Sequence, residues 1–237
     1  MADIWLIAGP PFDSAMWNGV AARLKHHGHR TQSWRCLTSG SGSLASEAEA
    51  MGAALDASAV PVVLVAHGTA VPLALQVVHH PQVSALVISN GQGGKGDRRW
   101  LQLLAMPVSQ GARWIGAAAQ LRALGSSAGL RRSVVNPYVM DHDTVVAVCG
   151  PILKDRARSA RARAFLRDLR QTTISSLPAH PRILVCSGDA ARKSGEMSFD
   201  SPQRPIDQSP IPGGRFMHPL ERPWELADRI HDWMDCI

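Results

Sequence analysis

The residues best placed to do chemistry form a short turn between an apolar run and an apolar helical segment. The run at positions 60–65 leads into Ala66-His67-Gly68-Thr69-Ala70. Some enzymes hold an attacking side chain on a strained strand-to-helix turn of this kind, which needs small residues two positions to either side. Ala66 and Ala70 meet that need only when the turn is centred on position 68. Because that residue is glycine, the turn is predicted to lack a side chain that could form an acyl intermediate.

The residues beside Gly68 offer weaker chemistry. The hydroxyl of Thr69 is an alternative nucleophile, but the turn directs this residue into the start of the helix, where threonine usually caps or packs. We therefore expect His67, Gly68 and Thr69 to contribute to a ligand site without supplying a nucleophile.

Strand and helix patterns alternate around this turn, which predicts an α/β fold with a mostly parallel central sheet and helices on both faces. A capping box at Ser46 and Glu49 begins one of the helices. The predicted strands are 4–7, 29–36, 60–65, 83–89 and 183–186, and the predicted helices are 15–25, 46–57, 69–79 and 223–235.

The middle of the chain has a different pattern. Residues 97–177 carry helical periodicity without a convincing strand, and they follow a glycine-rich segment at 91–96 that would suit a hinge. We predict an α/β core in two parts, 1–96 and 178–237, with an inserted helical cap at 97–177. The chain shows neither internal repeats nor an interdomain linker.

Three segments, in this order, resemble the α/β-hydrolase superfamily, in particular the small capped branch of plant methyl esterases, hydroxynitrile lyases and bacterial esterases. They are residues 4–11 with Trp17 eight positions past Gly9, the turn at Gly68, and residues 220–227, which open the last helix. The resemblance implies the capped α/β-hydrolase fold. It also implies four catalytic positions: a nucleophile, oxyanion donors, an acid and a base.

The oxyanion position departs from the pattern that the resemblance implies. The expected donor is the backbone N–H that follows a His-Gly pair, but this chain has Ala8-Gly9 followed by Pro10, which has no N–H. Loss of one such donor typically costs about 2.7–4 kcal/mol of transition-state stabilisation. Pro10 and Pro11 are instead expected to line a ligand site.

The acid and base positions depart as well. The implied acid position after Gly188 holds Ala191, with Asp189 two residues short of it, and an alternative position after the preceding strand offers Asn90. The pair Gly213-Gly214 places Arg215 at the base position, which we favour, whereas a register based on His218 leaves few residues before the last helix. If the protein is catalytic, the expected groups are His218, Asp189 and Arg215, with His218 able to donate or accept a proton.

Basic residues are concentrated in one predicted helix. The formal net charge is +6, and Arg156, Arg163, Arg167 and Arg170 share one helical face while Arg158 and Arg161 point elsewhere. Phe165 is the single aromatic residue among these arginines, so we interpret the face as solvated and expect no nucleic-acid partner, although an anionic ligand or partner stays an alternative.

Metal ligands are weakly indicated. His26-His27-Gly28-His29 bridges a helix end and a strand start, and Asp143 in Asp141-His142-Asp143 fits a helix N-cap better than a metal ligand. The four cysteines are far apart beside apolar segments, which favours buried thiols over disulfides or metal ligands. We expect neither a metal nor another cofactor.

Composition favours a cytoplasmic protein without a membrane segment. Hydrophobic residues make up 45% and charged residues 19%, and the N-terminus has neither a basic region nor a cleavage site. Apolar runs stay short of the roughly 18 residues of a membrane span. Assembly as a homodimer is left open.

These features favour an enzyme that binds a largely apolar small molecule between core and cap and promotes isomerisation, cyclisation or a lyase reaction by positioning and acid/base chemistry. One alternative is a catalytically inactive ligand-binding or interaction module. Another is an esterase whose serine was exchanged for Gly68.

Overall fold

A central parallel sheet organises the chain. The computed structural model describes residues 3–38, 40–91, 116–127, 129–172, 177–178, 180–188 and 206–236. Six strands lie in the order β2-β1-β3-β4-β5-β6, and all five pairings are parallel, which confirms the predicted sheet. They are β1 (Asp3–Ala8), β2 (Arg30–Arg35), β3 (Val62–Gly68), β4 (Val83–Gly91), β5 (Arg182–Gly188) and β6 (Asp207–Ile211).

Burial follows position in the sheet. All seven residues of the central strand β3 are buried, as expected for a strand covered on both faces, whereas the polar edge strand β2 is largely exposed. The sequence prediction missed β6, the opposite edge strand. This strand lies in a proline-rich stretch and contains Pro210, which an edge strand tolerates because it needs fewer ladder N–H donors.

Helices cover both faces of this sheet. Those with regular α geometry are α1 (Asn18–His26), α2 (Leu44–Asp56), α3 (Val71–Val77), α4 (Ala117–Leu124), α5 (His142–Leu153), α6 (Arg156–Gln171), α7 (His218–Glu221) and α8 (Pro223–Asp235). Short 3-10 turns occupy Ser14–Trp17, Leu130–Ser133 and Pro137–Met140.

Two predicted helix caps were wrong. Ser43, rather than Ser46, caps α2 by accepting a hydrogen bond from the backbone N–H of Ser46 at 3.1 Å. Asp141, rather than Asp143, caps α5 through the N–H of Thr144 at 2.8 Å. In both cases the helix begins earlier than predicted, so the earlier side chain faces the open N–H groups of the first turn.

The described part of the predicted cap, residues 116–127 and 129–172, is helical and without strands. The boundaries at 97 and 177 stay a prediction. Helix α6 packs onto the core through Arg158, whose guanidinium lies 2.6 Å from the buried Asp13 carboxylate. Arg161 donates to the carbonyl oxygens of Leu37 and Thr38. Arg156, Arg167 and Arg170 are exposed, in agreement with the predicted helical face, whereas Arg163 on that face is half-buried and donates to Ser159 Oγ at 3.2 Å.

The sequence predicted buried thiols for the four cysteines and no membrane-spanning segment. Cys36, Cys149 and Cys186 are buried thiols as expected, and burial raises the pKa of Cys186 to about 12. Cys236 is exposed, contrary to the prediction, because it lies just beyond the end of α8. Within the described ranges, every helix is too short or too polar to cross a bilayer.

The strand order defines where a site can form. β1 and β3 are neighbours, yet the chain leaves β1 towards β2 on one side of the sheet and leaves β3 towards β4 on the other. The connections therefore diverge and open a crevice at the carboxyl ends of these two strands. This is the position where open parallel sheets usually bind ligands.

Candidate functional site

The turn at Gly68 lies at the carboxyl end of β3, as predicted. Its φ of +56° is in the left-handed region, which favours glycine. The loop after β1 packs tightly against it, since a Cβ on Gly9 would overlap the Thr69 hydroxyl and the backbone of Ala70. That hydroxyl is buried and donates to the carbonyl oxygen of Pro10 at 2.7 Å. Thr69 therefore packs at the start of the helix, as the sequence predicted.

An aromatic ring occupies the space above Gly68. The para carbon of Phe216 lies 3.0 Å from the position that a Cβ on Gly68 would take. Phe216 is half-buried and follows β6 in the loop that precedes α7. The side chain that faces the turn is therefore apolar and has no capacity to act as a base.

Arg215 was wrongly predicted to face the turn. It is exposed, and its guanidinium donates to the carbonyl oxygens of Arg132 and Val134, both at 3.3 Å. Successive side chains of this loop point in different directions, so the hydrated guanidinium lies at the surface while Phe216 packs inward. The available signal in the sequence was Phe216, a large apolar residue directly after Arg215 in this loop.

His218 begins α7 and is completely buried. Its Nε2 lies 2.8 Å from Ser89 Oγ, and its Nδ1 lies 2.8 Å from Asn90 Nδ2. Burial lowers the pKa of His218 to about 4, although the nearby carbonyl oxygen of Arg215 acts in the opposite direction. The imidazole is therefore neutral at neutral pH.

His67 ends the buried strand β3 one residue before the turn, and its side chain is also fully buried. Its Nδ1 lies 3.1 Å from Ser89 Oγ, while its Nε2 has no hydrogen-bond partner within the described part of the chain. The rings of Phe12, Trp17 and Phe216 surround it at centroid distances of 6.3, 6.2 and 4.8 Å. Burial, and then the neighbouring His218, lower the pKa of His67 well below its usual value.

Ser89 joins the two histidines and was missed as a site residue by sequence reasoning. It pairs with His67 across β3 and β4, so the register of the sheet brings the two side chains together. The available signal was a serine at the end of the apolar run 85–88, and the structure shows that it is fully buried. Because its hydroxyl both donates and accepts, it can connect the two imidazoles.

Asn90 follows Ser89 and has a φ of +42°. The sequence offered it as an alternative acid position, and it does lie beside His218, but as an amide rather than a carboxylate. Its Nδ2 is also 2.9 Å from the carbonyl oxygen of Arg215 and 3.2 Å from that of Phe216. Asp189 lies outside the described residues.

The histidines considered as metal ligands have other partners. His27 Nε2 lies 2.6 Å from an Asp228 carboxylate oxygen, and His29 Nε2 lies 3.1 Å from His231 Nδ1. These contacts join the segment between α1 and β2 to α8. Across the described segments, no cluster of three or more histidine, cysteine or acidic side chains is arranged to hold a metal ion.

The parallel sheet, its helical covering and the glycine turn after β3 together define an α/β-hydrolase fold. Solved structures agree: MenH from S. aureus superposes with a TM-score of 0.73 at 12% identity, over 99% of this chain and 93% of that one. Cfl2 from Burkholderia cenocepacia superposes with a TM-score of 0.70 at 18% identity, over 98% of this chain and 87% of that one. A thermophilic esterase from Thermogutta terrifontis superposes with a TM-score of 0.64 at 16% identity, over 99% of this chain and 90% of that one.

Sequence comparison adds no closer assignment. No protein-family model matches the chain, and no curated protein matches it. Identities of 12–18% to these structures establish the fold alone. The chemistry therefore has to be argued from the residues of this chain.

Proposed function

We propose that this protein is a non-hydrolytic enzyme that acts on a small, largely apolar molecule between the sheet and the cap, in an isomerase, cyclase or lyase type of reaction. The buried chain His67–Ser89–His218 beside Gly68 carries the proposal. Its Oγ to nitrogen distances are 3.1 and 2.8 Å, and Nε2 of His67 has no partner in the described segments. Such groups in an apolar core are costly to bury, and they concentrate at functional sites.

Three features disfavour acyl-enzyme chemistry. Gly68 has no nucleophilic atom, Phe216 stands where a base would have to reach it, and Pro10 has no backbone N–H for an oxyanion. Proton transfer or polarisation by an imidazole needs none of these elements. Of the residues expected to act, His218 belongs to the proposed site because Ser89 links it to His67. Arg215 does not, because its guanidinium contacts the carbonyl oxygens of Arg132 and Val134.

Solvent exchange tests the proposal without knowledge of the natural substrate. The protein is incubated in D2O with a panel of apolar cyclic ketones, and deuterium incorporation and rearranged products are followed by NMR and mass spectrometry. We expect one or more ketones to exchange a hydrogen next to the carbonyl group for deuterium, with solvent D2O taking the proton and returning deuterium while an imidazole of the site polarises the carbonyl oxygen, and Ser89→Ala to remove this activity. Formation of a covalent acyl adduct with an ester substrate would contradict the proposal.

A catalytically inactive ligand-binding module is the second candidate. Both ring nitrogens of His218 already contact side chains, and the residue is fully buried, which favours a structural role. On this hypothesis ketones bind and shift the resonances of the site, yet every bound compound is recovered unchanged. The same experiment therefore separates the two candidates.

A further inference from the structure

Two carbonyl oxygens and one ring nitrogen lie around the side-chain nitrogen of Asn90. The carbonyl oxygens of Arg215 and Phe216 lie 2.9 and 3.2 Å from Nδ2, and His218 Nδ1 lies 2.8 Å from it. An amide oxygen in this place would face two carbonyl oxygens, so the nitrogen assignment follows from the surroundings. A carboxylate would meet the same repulsion, which is a reason for asparagine at this position.

This contact decides which nitrogen of His218 carries the proton. Because Asn90 Nδ2 has only hydrogens to offer, His218 Nδ1 has to accept. The alternative, in which Nδ1–H donates to the Arg215 carbonyl oxygen at 3.1 Å, would place two donors 2.8 Å apart. The proton of the neutral ring is therefore on Nε2, which donates to Ser89 Oγ at 2.8 Å.

The direction of the remaining hydrogen bonds then follows. Ser89 Oγ accepts from His218, so its own proton is available for His67 Nδ1 at 3.1 Å. His67 accepts at Nδ1 and, being neutral, carries its proton on Nε2. Nε2 is the atom that has no partner within the described ranges.

We propose that Asn90 is a positioning residue that, through His218 and Ser89, holds His67 as an Nε2–H donor, so that the ligand presents a neutral acceptor oxygen, such as a carbonyl group, to it. The ligand part of this inference rests on the proposed function, and the proton positions rest on the hydrogen-bond geometry of two buried, neutral rings. Phe216 packs against both His67 and Gly68, with its ring centroid 4.8 Å from that of His67.

The proton positions are tested by NMR of the full chain labelled with 15N-histidine. Long-range proton–nitrogen correlations distinguish a protonated from an unprotonated ring nitrogen. We expect both His67 and His218 to be protonated on Nε2 in the unaltered protein. Protonation of either ring on Nδ1 would overturn the proposed direction of the chain.

Asn90→Asp provides the decisive change, because a carboxylate accepts where the amide donates. His218 is then expected to carry its proton on Nδ1, Ser89 to donate to His218, and His67 to switch to Nδ1–H, so both rings invert. The matched control is Asn18→Asp, which adds the same charge at an exposed position and should leave both rings unchanged. If Asn90→Asp does not fold, Asn90→Ala serves instead, and unchanged tautomers in either variant would contradict the role of Asn90.

The ligand is tested separately with cyclohexanone and its hydrocarbon counterpart methylenecyclohexane. The ketone is expected to shift the His67 Nε2–H resonance downfield in a saturable manner, and the hydrocarbon is not. If the predicted tautomers are observed but neither compound moves this resonance, the acceptor-oxygen ligand and the proposed function fail while the role of Asn90 stands. If the ketone binds to a ring protonated on Nδ1, the role of Asn90 fails instead.

Discussion

Phe216 and Gly68 face each other, with the para carbon of the ring 3.0 Å from the place where a side chain on the glycine would begin. The separation is shorter than an ordinary van der Waals contact between carbon atoms. The turn that could present a nucleophile is therefore occupied from above by an apolar ring. Hydrolytic chemistry would need changes on both sides of this contact.

Gly68→Ser alone should not create a serine hydrolase. The new side chain would meet Phe216 at 3.0 Å and would have no base beside it, and a φ of +56° disfavours serine by about 1–2 kcal/mol. We expect no covalent labelling by a fluorophosphonate, measured by intact mass. Labelling of this single variant would support the alternative of an esterase with an exchanged serine.

The matched variant is Gly68→Ser combined with Phe216→His, which replaces the ring above the turn by an imidazole. We expect slow but measurable labelling, because a base then faces the serine. Turnover of esters should stay low, since Pro10 still lacks an oxyanion donor, a loss of roughly a hundred- to thousandfold in rate.

Ser89→Ala should destabilise the protein by about 2–3 kcal/mol. The change removes the shared partner of His67 Nδ1 and His218 Nε2 and leaves both atoms buried without it. Urea unfolding at pH 7.5 measures the free energy. The control is Ser84→Ala in the same strand, an exposed serine for which we expect a loss of less than about 1 kcal/mol. Equal losses in the two variants would argue against a buried relay.

The free energy of unfolding should fall as the pH drops below about 6.5. Burial lowers the pKa of His218 to about 4 and shifts those of His67 and His29 in the same direction. Between the pKa of an unfolded histidine, about 6.5, and the lower pKa in the native state, the unfolded chain binds protons that the native state excludes. His218 alone contributes a loss of about 3 kcal/mol, which is complete near pH 4.

Urea unfolding at pH 7.5, 6 and 5 measures this dependence. His218→Asn removes the contribution of this histidine, so the slope of the free energy of unfolding between pH 6.5 and 5 should be shallower in the variant. Burial raises the pKa of Glu47, which opposes this loss as the pH falls, so equal slopes for the variant and the unaltered protein would show that His218 is not buried in neutral form. The aspartates with lowered pKa values, such as Asp207 and Asp228, act only at lower pH.

Arg158→Met should cost about 3–5 kcal/mol. The guanidinium pairs with the Asp13 carboxylate at 2.6 Å, and the two side chains are 14% and 8% exposed, so the change leaves a buried charge without its partner. The exposed Arg156→Met on the same helix is the control, with an expected effect within about 0.5 kcal/mol. Adding Asp13→Asn to Arg158→Met should recover part of the stability, and failure to do so would contradict the pairing.

The sheet and the turn were predictable because they depend on local patterns. Continuous apolar runs indicated the central strands, and Ala66, Gly68 and Ala70 indicated the turn. The last helix was predicted with its observed bounds, since Pro223 marks its first turn. The edge strand β6 was missed because its pattern is weak and its stability depends on pairing with β5.

The site depends on longer-range relationships. His67 and Ser89 meet through strand register, and His218 reaches Ser89 across 129 positions of sequence. In the loop before α7, a difference of one position decides whether Arg215 or Phe216 faces Gly68. Spacing along the chain does not contain that information, because side-chain direction in an irregular loop is set by packing.

The amino-acid sequence alone therefore determined a parallel α/β fold whose central turn holds a glycine, because periodicity and turn chemistry depend on neighbouring residues, and the resemblance of three segments implied the α/β-hydrolase fold. Tertiary structure decided that Phe216 covers Gly68 and that His67, Ser89, His218 and Asn90 form one hydrogen-bonded chain. These side chains come from three separate segments, and only the packing of β3, β4 and the start of α7 brings each polar atom within 3.1 Å of the next.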